Sequence, residues 1–244
     1  MLKNKHISIV IPIKNEAENI KKLTREINKA CNKIKFEILF VNDGSNDNSI
    51  NILKILKKDN KNLRILNHNF SKGQSAALKT GIHNSSYEII VTLDGDCQND
   101  PKDIPAMLEK FANYSENNLL MIGGVRVNRK DNLGKKIASK FGKFFRKHLL
   151  NDDHPYTGCG IKVFHKKLYL LFPYFDHMHR FFPALASREG ALVLQHDVNH
   201  RPRSKGSSNY TNLGRLFVSI FDIVGMMWLL KRYPKNLKIN EIKK

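Results

Sequence analysis

Residues 87–98 read YEIIVTLDGDCQ and form the clearest strand-and-loop pattern in the sequence. Its apolar part, Tyr87–Leu93, predicts a buried strand that ends in two carboxylates, Asp94 and Asp96. Two carboxylates one residue apart at a strand exit can share a hard divalent cation, which neutralises a diphosphate. Gln98 follows with a side-chain oxygen in reach of the same ion. The alternative interpretation of Asp-Gly-Asp is a polar turn that leaves the sheet.

The segments on either side of this stretch alternate between strand and helix patterns. Short apolar runs predict strands, and apolar positions three and four residues apart predict helices. The predicted strands are Ile7–Lys14, Phe36–Asn42, Arg64–His68 and Leu119–Val127, and the predicted helices are Glu16–Asn32, Asn46–Asn60, Gly73–Asn84 and Pro101–Ala112. This alternation predicts an α/β fold, an open and mostly parallel twisted sheet flanked by helices. Ligands of such sheets bind beyond the carboxyl ends of the strands.

The second half of the chain is less regular. It predicts a helix over Gly134–Leu150, a strand over Tyr156–His165, a helix over His177–Arg188 that Pro183 interrupts, and a strand over Ala191–His200. The histidines fit no HExxH spacing, and we expect those of His177–Phe182 to lie near phosphate or lipid headgroups. We expect one catalytic domain over residues 1–210 and a C-terminal appendage over residues 211–244.

Composition excludes several classes of protein. The chain has 244 residues, of which 41% are hydrophobic, enough for one sizeable core. The three cysteines, Cys31, Cys97 and Cys159, form no CxxC pair, so neither a disulfide framework nor a zinc site is predicted. No signal-peptide pattern opens the sequence, and we expect the protein to stay in the reducing compartment where it is made.

Positive charge is concentrated in one part of the sequence. The formal net charge is +20, and between Arg126 and Lys147 nine Lys or Arg residues stand against one acid, Asp131. Such a block favours a polyanionic partner: a phosphorylated ligand, an anionic lipid surface or a nucleic acid.

Three further motifs fall at predicted strand ends or helix starts. Asn42-Asp43-Gly44-Ser45 suits a grip on a base or ribose, or else a capped turn. In Pro12-Ile13-Lys14-Asn15-Glu16 the first strand passes into the first helix, which Asn15 could cap. Lys72–Ala77 is a small-residue helix start whose free amides favour phosphate, although it lacks the GxxxxGK[ST] pattern of P-loop ATPases.

In this order, these segments resemble the family-two inverting glycosyltransferases of the GT-A fold, and among them the dolichol-phosphate mannose synthase branch. The resemblance covers roughly residues 6–210. The family motifs P-x-x-N-E, D-D-G-S and D-x-D-x-Q are similar to Pro12, Asn15 and Glu16, to Asn42-Asp43-Gly44-Ser45, and to Asp94, Asp96 and Gln98. Asn42 stands where the second motif has its first acid.

The resemblance implies a role for each residue. The nucleoside diphosphate of a GDP- or UDP-sugar would meet Pro12, Asn15, Glu16, Asp43, Gln74, Lys79, Asp94 and Gly95. Mg²⁺ or Mn²⁺ would be held by Asp94, Asp96 and Gln98, and catalysis would rest on Asp94, Asp96 and Arg126. Acceptor and phosphate groups would be bound by Arg126, Arg129, Arg201, Arg203 and Lys205, because guanidinium groups suit phosphate oxygens.

Two later segments resemble the family with departures. Thr157–Lys162 resembles D-x-x-S-G-F-R, with Cys159 at the serine and Tyr156 at the acid. Residues 203–210 resemble the R-x-x-G-x-S-K-Y loop that closes over the site, with Asn209 in place of the lysine.

The resemblance implies transfer of a mannose- or glucose-type sugar, with inversion, to a polyprenyl phosphate such as dolichyl or undecaprenyl phosphate. A phosphate monoester is already ionised near neutral pH, so the protein needs mainly to align the substrates and stabilise the departing diphosphate. One alternative is transfer to a glycan or lipopolysaccharide hydroxyl, which would need a base such as Asp94. Another is a non-enzymatic module that binds lipid or nucleic acid. The acids Asp43, Asp94 and Asp96 favour the enzyme, and we expect no nucleic-acid partner.

The apolar segment Leu216–Leu230 lies between Arg215 and Lys231-Arg232. As a helix it spans about 22 Å, short of a hydrocarbon core of about 30 Å, and Asp222 stands in its middle. We expect an amphipathic helix at a membrane interface, or a helix packed on the catalytic domain. With the basic Gly134–Leu150 segment, it predicts peripheral or monotopic attachment to the cytoplasmic face of a membrane.

Overall fold

A single sheet of seven strands organises the chain. The computed structural model describes residues 6–114, 119–127, 159–202 and 212–232, with side chains from residue 221 onward in the last range. The strands are β1 (His6–Ile13), β2 (Lys35–Asp43), β3 (Leu63–His68), β4 (Ile89–Thr92), β5 (Leu120–Arg126), β6 (Lys162–His165) and β7 (Leu192–Val198). Their order across the sheet is β3-β2-β1-β4-β6-β5-β7.

Helices connect and cover these strands. They are α1 (Ala17–Ala30), α2 (Ser49–Asp59), α3 (Gln74–His83), α4 (Ile104–Asn113), α5 (Lys166–Leu170), α6 (Phe182–Arg188) and α7 (Asn212–Lys231). Two 3₁₀ turns, Pro101–Asp103 and Met178–Phe181, lead into α4 and α6.

The direction of the strands brings the predicted motifs to one edge of the sheet. Strand β1 is parallel to both β2 and β4, and β5 is parallel to β7. Strand β6 runs antiparallel between β4 and β5. The carboxyl ends of the parallel strands and the beginning of β6 therefore lie at the same edge.

Two apolar cores lie on opposite faces of the sheet. Along β1, Ile9 and Ile11 pack into the core that α1, α2 and α4 cover, whereas Val10 packs into the core of α3, α5, α6 and α7. This alternation with period two is what a strand buried on both faces requires. We call these groups of helices the first and the second layer.

The structure confirms the open, mostly parallel α/β sheet and corrects two details of the second half. Of the strand predicted over Tyr156–His165, only Lys162–His165 is a strand among the described residues. The predicted helix His177–Arg188 is divided before Pro183, into the 3₁₀ turn Met178–Phe181 and α6. Pro183 stands in the first turn of α6, where its missing N–H costs no hydrogen bond. The predicted helix Gly134–Leu150 lies outside the described residues.

Helix α7 packs on the second layer through Met226, which is 1% exposed. Its outward positions in the described turns, Phe221, Val224 and Trp228, are apolar as well, so the expected amphipathic pattern is not shown there. Within the described ranges, no helix combines the length and the apolar character that crossing a membrane demands.

Candidate active site

The carboxylate pair lies directly after β4, at the shared edge. Gln74 Nε2, in the first turn of α3, donates to Asp94 Oδ1 at 2.9 Å. Asp96 Oδ1 accepts the backbone N–H of Gln98 at 3.1 Å, which holds the loop in a tight turn. Burial raises the pKa of Asp94, and the neighbouring Asp96 carboxylate raises it further. The pair therefore concentrates negative charge that a bound cation would stabilise.

The chain leading into β6 packs closely against this pair. A Cβ at Gly160 would lie 2.1 Å from Asp94 Oδ2, so a larger residue would displace the carboxylate. Thr92 Oγ1 donates to the Gly160 carbonyl at 2.6 Å and keeps the two segments together. The position of Asp94 thus depends on β4, α3 and β6 together.

Two basic residues, Lys162 and Arg126, act electrostatically on Asp94. Lys162 and Arg126 both act to lower the pKa of Asp94, against the larger effect of burial. Lys162 is buried, its Nζ donates to the Cys159 carbonyl, and it lies 5.7 Å from the ring centroid of Phe182. Burial lowers the pKa of Lys162, while Asp94 acts to raise it. Lys162 therefore offsets part of the charge of Asp94 inside the protein, and Arg126 is the group suited to phosphate oxygens.

The loops after β1 and β2 interlock beside the pair. Asn15 has a left-handed backbone (φ 57°), its N–H donates to Ser45 Oγ at 2.9 Å, and its Oδ1 accepts from Asn46 N at 2.8 Å. Asn15 therefore joins the two loops and does not cap α1 with its side chain. A Cβ at Gly95 would lie 3.2 Å from the Pro12 carbonyl, so the carboxylate loop approaches β1 closely.

Glu16 belongs to the same junction. Its backbone N–H donates to Ser49 Oγ at 3.1 Å, and its Oε2 accepts from Asn19 Nδ2 at 2.6 Å. A Cβ at Gly95 would lie 3.5 Å from Glu16 Cγ. The structure thus brings the predicted nucleotide residues of β1 and those of the carboxylate loop together.

Asp43 is buried and bonded on both oxygens. Its Oδ1 accepts from Lys72 N and His68 Nδ1 at 2.8 and 2.7 Å, and its Oδ2 accepts from Ser71 Oγ and Gly73 N at 2.7 and 2.9 Å. Burial acts to raise the pKa of Asp43, but these hydrogen bonds outweigh it and hold the pKa below its usual value. Asp43 therefore anchors the loop before α3, and its contact with a nucleoside stays a prediction.

Lys79 lies apart from the carboxylate pair. Its Nζ lies 4.3 Å from the ring centroid of Tyr174, in a pocket of about 380 Å³. The pocket is lined by His68, Asn69, Phe70, Lys72, Ala76, Lys79, Thr80 and Tyr174. The structure thus places Gln74 at the site and Lys79 in this neighbouring pocket.

Arg201 connects the loop after β4 (residues 94–100) to α1. Its guanidinium forms two hydrogen bonds with Glu26 on α1, at 2.9 and 2.8 Å, and one with the Asn99 carbonyl at 2.9 Å. The backbone N–H of Arg201 also donates to the Gln98 carbonyl at 2.9 Å. Its predicted contact with an acceptor phosphate stays a prediction. Arg129, Arg203 and Lys205 lie outside the described residues.

The sequence assigned no role to Lys162 and a different position to His179. Lys162 stands at the arginine of the D-x-x-S-G-F-R motif, and that correspondence was the available signal. His179, expected near headgroups, instead has its Nδ1 2.8 Å from Ser75 Oγ in the first turn of α3. Burial lowers the pKa of His179 to about 3, so the ring is neutral and positions the helix.

The residues present suit a hard divalent cation. Asp94, Asp96 and Gln98 offer oxygen atoms alone, the ligands that Mg²⁺ and Mn²⁺ prefer. In the described parts of the chain, no group of three or more His, Cys, Asp or Glu side chains is arranged to hold a metal by itself. A cation here would complete its coordination with diphosphate oxygens and water.

Comparison with known proteins assigns the chain to a class of transferases. The profile of the family described as "Glycosyl transferase family 2" matches residues 8–171, and the chain belongs to this family. It is therefore a glycosyltransferase. It is 31% identical to the undecaprenyl-phosphate 4-deoxy-4-formamido-L-arabinose transferase of Pectobacterium atrosepticum, over 90% of this chain and 67% of the relative. It is also 31% identical to the dodecaprenyl-phosphate galacturonate synthase of Rhizobium johnstonii, over 92% of this chain and 67% of that relative.

Solved structures confirm the GT-A fold. Glucosyl-3-phosphoglycerate synthase from Mycobacterium tuberculosis, in complex with Mn²⁺, uridine diphosphate and phosphoglyceric acid, superposes with a TM-score of 0.69 at 14% identity. The match covers 96% of this chain and 81% of that chain. Mannosyl-3-phosphoglycerate synthase from Rubrobacter xylanophilus has a TM-score of 0.69 at 12% identity, over 98% of this chain and 79% of that chain. At these identities the likeness concerns the fold.

Proposed function

We propose that this chain transfers a sugar from a UDP-sugar to a polyprenyl phosphate, with inversion at the sugar carbon and with Mg²⁺ or Mn²⁺ bound at Asp94 and Asp96. The observation that carries the proposal is the carboxylate pair directly after β4, where Gln74 bonds Asp94 and the chain at Gly160 packs against it. The relatives support the acceptor, since both are named for sugar transfer to a polyprenyl phosphate. The glucosyl-3-phosphoglycerate synthase, with uridine diphosphate and Mn²⁺ bound, supports the choice of UDP and of the metal.

The proposed reaction needs no strong general base from the protein. The acceptor phosphate is already ionised near neutral pH, so it can attack the sugar carbon directly while the bond to the diphosphate breaks. Asp94 and Asp96, with Gln98, would hold the metal. When bound, that cation neutralises charge on the departing diphosphate.

The remaining site residues would orient the substrates. Arg126, at the end of β5, would bind phosphate oxygens of donor or acceptor through its planar guanidinium. Lys162 would stabilise the site by offsetting part of the charge of Asp94. Gln74 holds Asp94 in place through the hydrogen bond at 2.9 Å. Preorganised charges of this kind stabilise a transition state without reorganisation.

The proposed acceptor also implies that the protein works at a membrane. Because a polyprenyl phosphate resides in a lipid bilayer, we propose peripheral or monotopic attachment at the cytoplasmic face. The division into a catalytic domain over residues 1–210 and an appendage over residues 211–244 is part of this proposal. The contact of α7 with the second layer means that the appendage would hold the catalytic domain directly against the lipid.

A transfer assay with radiolabelled donors tests the reaction. The full chain is incubated with undecaprenyl phosphate and one donor at a time: UDP-glucose, UDP-galacturonate, UDP-4-deoxy-4-formamido-L-arabinose or GDP-mannose. We expect an organic-extractable product from a UDP-sugar, lost with EDTA and restored by Mn²⁺ or Mg²⁺. A product from GDP-mannose alone would overturn the choice of UDP. Donor hydrolysis without a lipid product would overturn the acceptor.

The Asp96→Asn variant tests the metal site. It removes a charged oxygen ligand, so we expect kcat/KM to fall by at least about 100-fold while thermal unfolding is unchanged. Asp59→Asn, at the exposed end of α2, removes the same charge away from the site and should keep full activity. Equal activity of the two variants would contradict metal binding at Asp96.

A further inference from the structure

Helix α7 presents apolar side chains on two opposite sides. Ile223, Met226 and Met227 pack on the second core. On the outward side, Phe221 is 75%, Val224 59% and Trp228 62% exposed. These three positions are spaced by three and four residues and so share one face of the helix. A helix that is apolar on both sides is expected where a second apolar phase covers its open face.

The acidic residue of this helix, Asp222, is turned away from the open face. Asp222 Oδ2 lies 3.2 Å from Arg180 Nη1 and 3.3 Å from His177 Nδ1, both at the 3₁₀ turn Met178–Phe181. The outward face therefore carries no charge from Phe221 to Trp228. It ends in two exposed cations, Lys231 and Arg232.

Exposed apolar side chains are unequally divided between the two faces of the molecule. Of the nine large hydrophobic residues exposed among the described side chains, seven lie on the second layer or its adjoining loops. The other two, Ile55 and Tyr114, lie on the first layer. The second layer therefore carries most of the exposed apolar side chains of the described molecule, and three of them, Phe221, Val224 and Trp228, share one face of α7.

Contacts and sequence neighbours link the inner side of α7 to the carboxylate pair. Asp222 pairs with Arg180, which neighbours His179 in the 3₁₀ turn. His179 in turn contacts Ser75, and the adjacent Gln74 donates to Asp94. The inner side of α7 is therefore coupled to the first turn of α3, which carries Gln74.

We infer that Phe221, Val224, Trp228, Lys231 and Arg232, which we name the α7 docking face, insert into an anionic lipid bilayer. The inference rests on the proposed function, because a lipid-linked acceptor requires contact with the bilayer. An apolar stripe with a tryptophan and flanking cations has the composition of interfacial anchors. The formal charge of +20 opposes a second copy on this face and favours anionic headgroups.

The single tryptophan of the sequence, Trp228, reports on this face directly. Its emission is recorded for the full chain with vesicles of phosphatidylcholine and phosphatidylglycerol. We expect a blue shift on binding and quenching by lipids brominated on the acyl chains. Binding with unchanged emission would overturn the inference. A blue shift that depends on protein concentration without vesicles would assign the face to a second copy and would also overturn it.

Sedimentation with the same vesicles tests the outward residues. The Phe221→Ser/Trp228→Ser variant should lower the vesicle partition coefficient by about tenfold or more. Ile55→Ser, a matched change at a residue that is 54% exposed on the first layer, should leave it unchanged. Equal losses in both variants, or none in either, would contradict the assignment of the bilayer to α7.

Transfer to a short-chain polyprenyl phosphate in detergent separates this inference from the proposed function. If the inference holds, the double variant keeps activity in detergent and loses it with acceptor in vesicles. If the wild-type chain forms no lipid-linked product while Trp228 still enters the bilayer, the proposed function fails and the docking face stands. If the double variant keeps full activity with vesicle-bound acceptor, the docking face fails and the proposed function stands.

Discussion

At the scale of single residues, Lys162 shows how the site balances its charges. A buried ammonium group is costly unless it is paired, and here it lies against the Cys159 carbonyl and close to Asp94. Burial raises the pKa of Asp94 and lowers the pKa of Lys162, and the attraction between these two groups offsets part of the cost of burying each of them. The pair therefore acts as a unit, and changing one member leaves an uncompensated charge.

We predict that Lys162→Met reduces kcat/KM by at least about 100-fold, because it removes a preorganised positive charge beside the diphosphate site. Lys162→Arg should recover a large part of the activity, since it restores the charge. Steady-state kinetics with the UDP-sugar found in the transfer assay measures both. Lys167→Met, at an exposed position on α5, is the matched control. Full activity of Lys162→Met would contradict the role assigned to Lys162.

Asp43 contributes stability that depends on pH. Its pKa is lowered in the folded state, so the unfolded chain binds the proton more readily. The stabilisation is therefore complete above the unfolded pKa, near 3.8, and is lost as the pH falls through the lower folded value. Four hydrogen-bond donors surround this carboxylate, and an amide would turn its own N–H₂ group towards two of them.

We predict that Asp43→Asn lowers the free energy of unfolding at pH 7 by about 1–3 kcal/mol. The difference from the wild-type chain should shrink below pH 3.8, where the wild type also loses the interaction. Urea denaturation at pH 7 and pH 3 measures both values. A difference that stays constant with pH would show that the carboxylate charge is not the cause.

At the scale of elements, α3 positions Gln74 and Ser75 at the site, and it packs closely on the sheet at Gly81. A Cβ at Gly81 would lie 2.3 Å from Val10 Cγ1 and 3.0 Å from Val41 Cγ2, so β1 and β2 approach the helix directly. This close packing sets the distance between the first turn of α3 and the edge of the sheet. The distance between Gln74 and Asp94 therefore depends on a residue seven positions away.

We predict that Gly81→Ala lowers the free energy of unfolding by about 1–3 kcal/mol through overpacking. It should also reduce activity, because α3 must move away from the sheet and take Gln74 with it. Gly225→Ala in α7 is the matched control: a Cβ there meets nothing within 4 Å, and we expect about 0.5–1 kcal/mol of added stability. Urea denaturation and the transfer assay measure both. A neutral Gly81→Ala would contradict this close packing.

The elements also show what the sequence could predict. The first five strands and the loop of Asp94 and Asp96 follow from apolar runs and their ends, which are local patterns. The antiparallel place of β6 between β4 and β5 could not be predicted, because a short apolar run carries no direction. The pairing of Arg201 with Glu26 joins residues 175 positions apart, and half of the bonds to Asp43 come from backbone N–H groups that every sequence has.

At the scale of the whole molecule, most of the large apolar side chains exposed among the described residues lie on the second layer, while the chain as a whole is strongly basic. Charge and apolar contact act on membrane binding in different ways. Salt shortens the Debye length from about 10 Å at 0.1 M to about 3 Å at 1 M and so weakens the attraction of cations to anionic headgroups. Apolar insertion is not screened by salt. The two contributions can therefore be separated by salt concentration.

We predict that binding of the wild-type chain to phosphatidylglycerol vesicles weakens strongly between 0.1 and 1 M NaCl but leaves a residual part. The residual part is the apolar contribution, so Phe221→Ser/Trp228→Ser should abolish it while the salt-sensitive part at 0.1 M remains. Ile55→Ser should keep both parts. Vesicle sedimentation over a salt series measures the two. Complete loss of wild-type binding at 1 M NaCl would mean that charge alone holds the protein at the bilayer, whereas binding independent of salt would mean that the net charge of +20 takes no part in it.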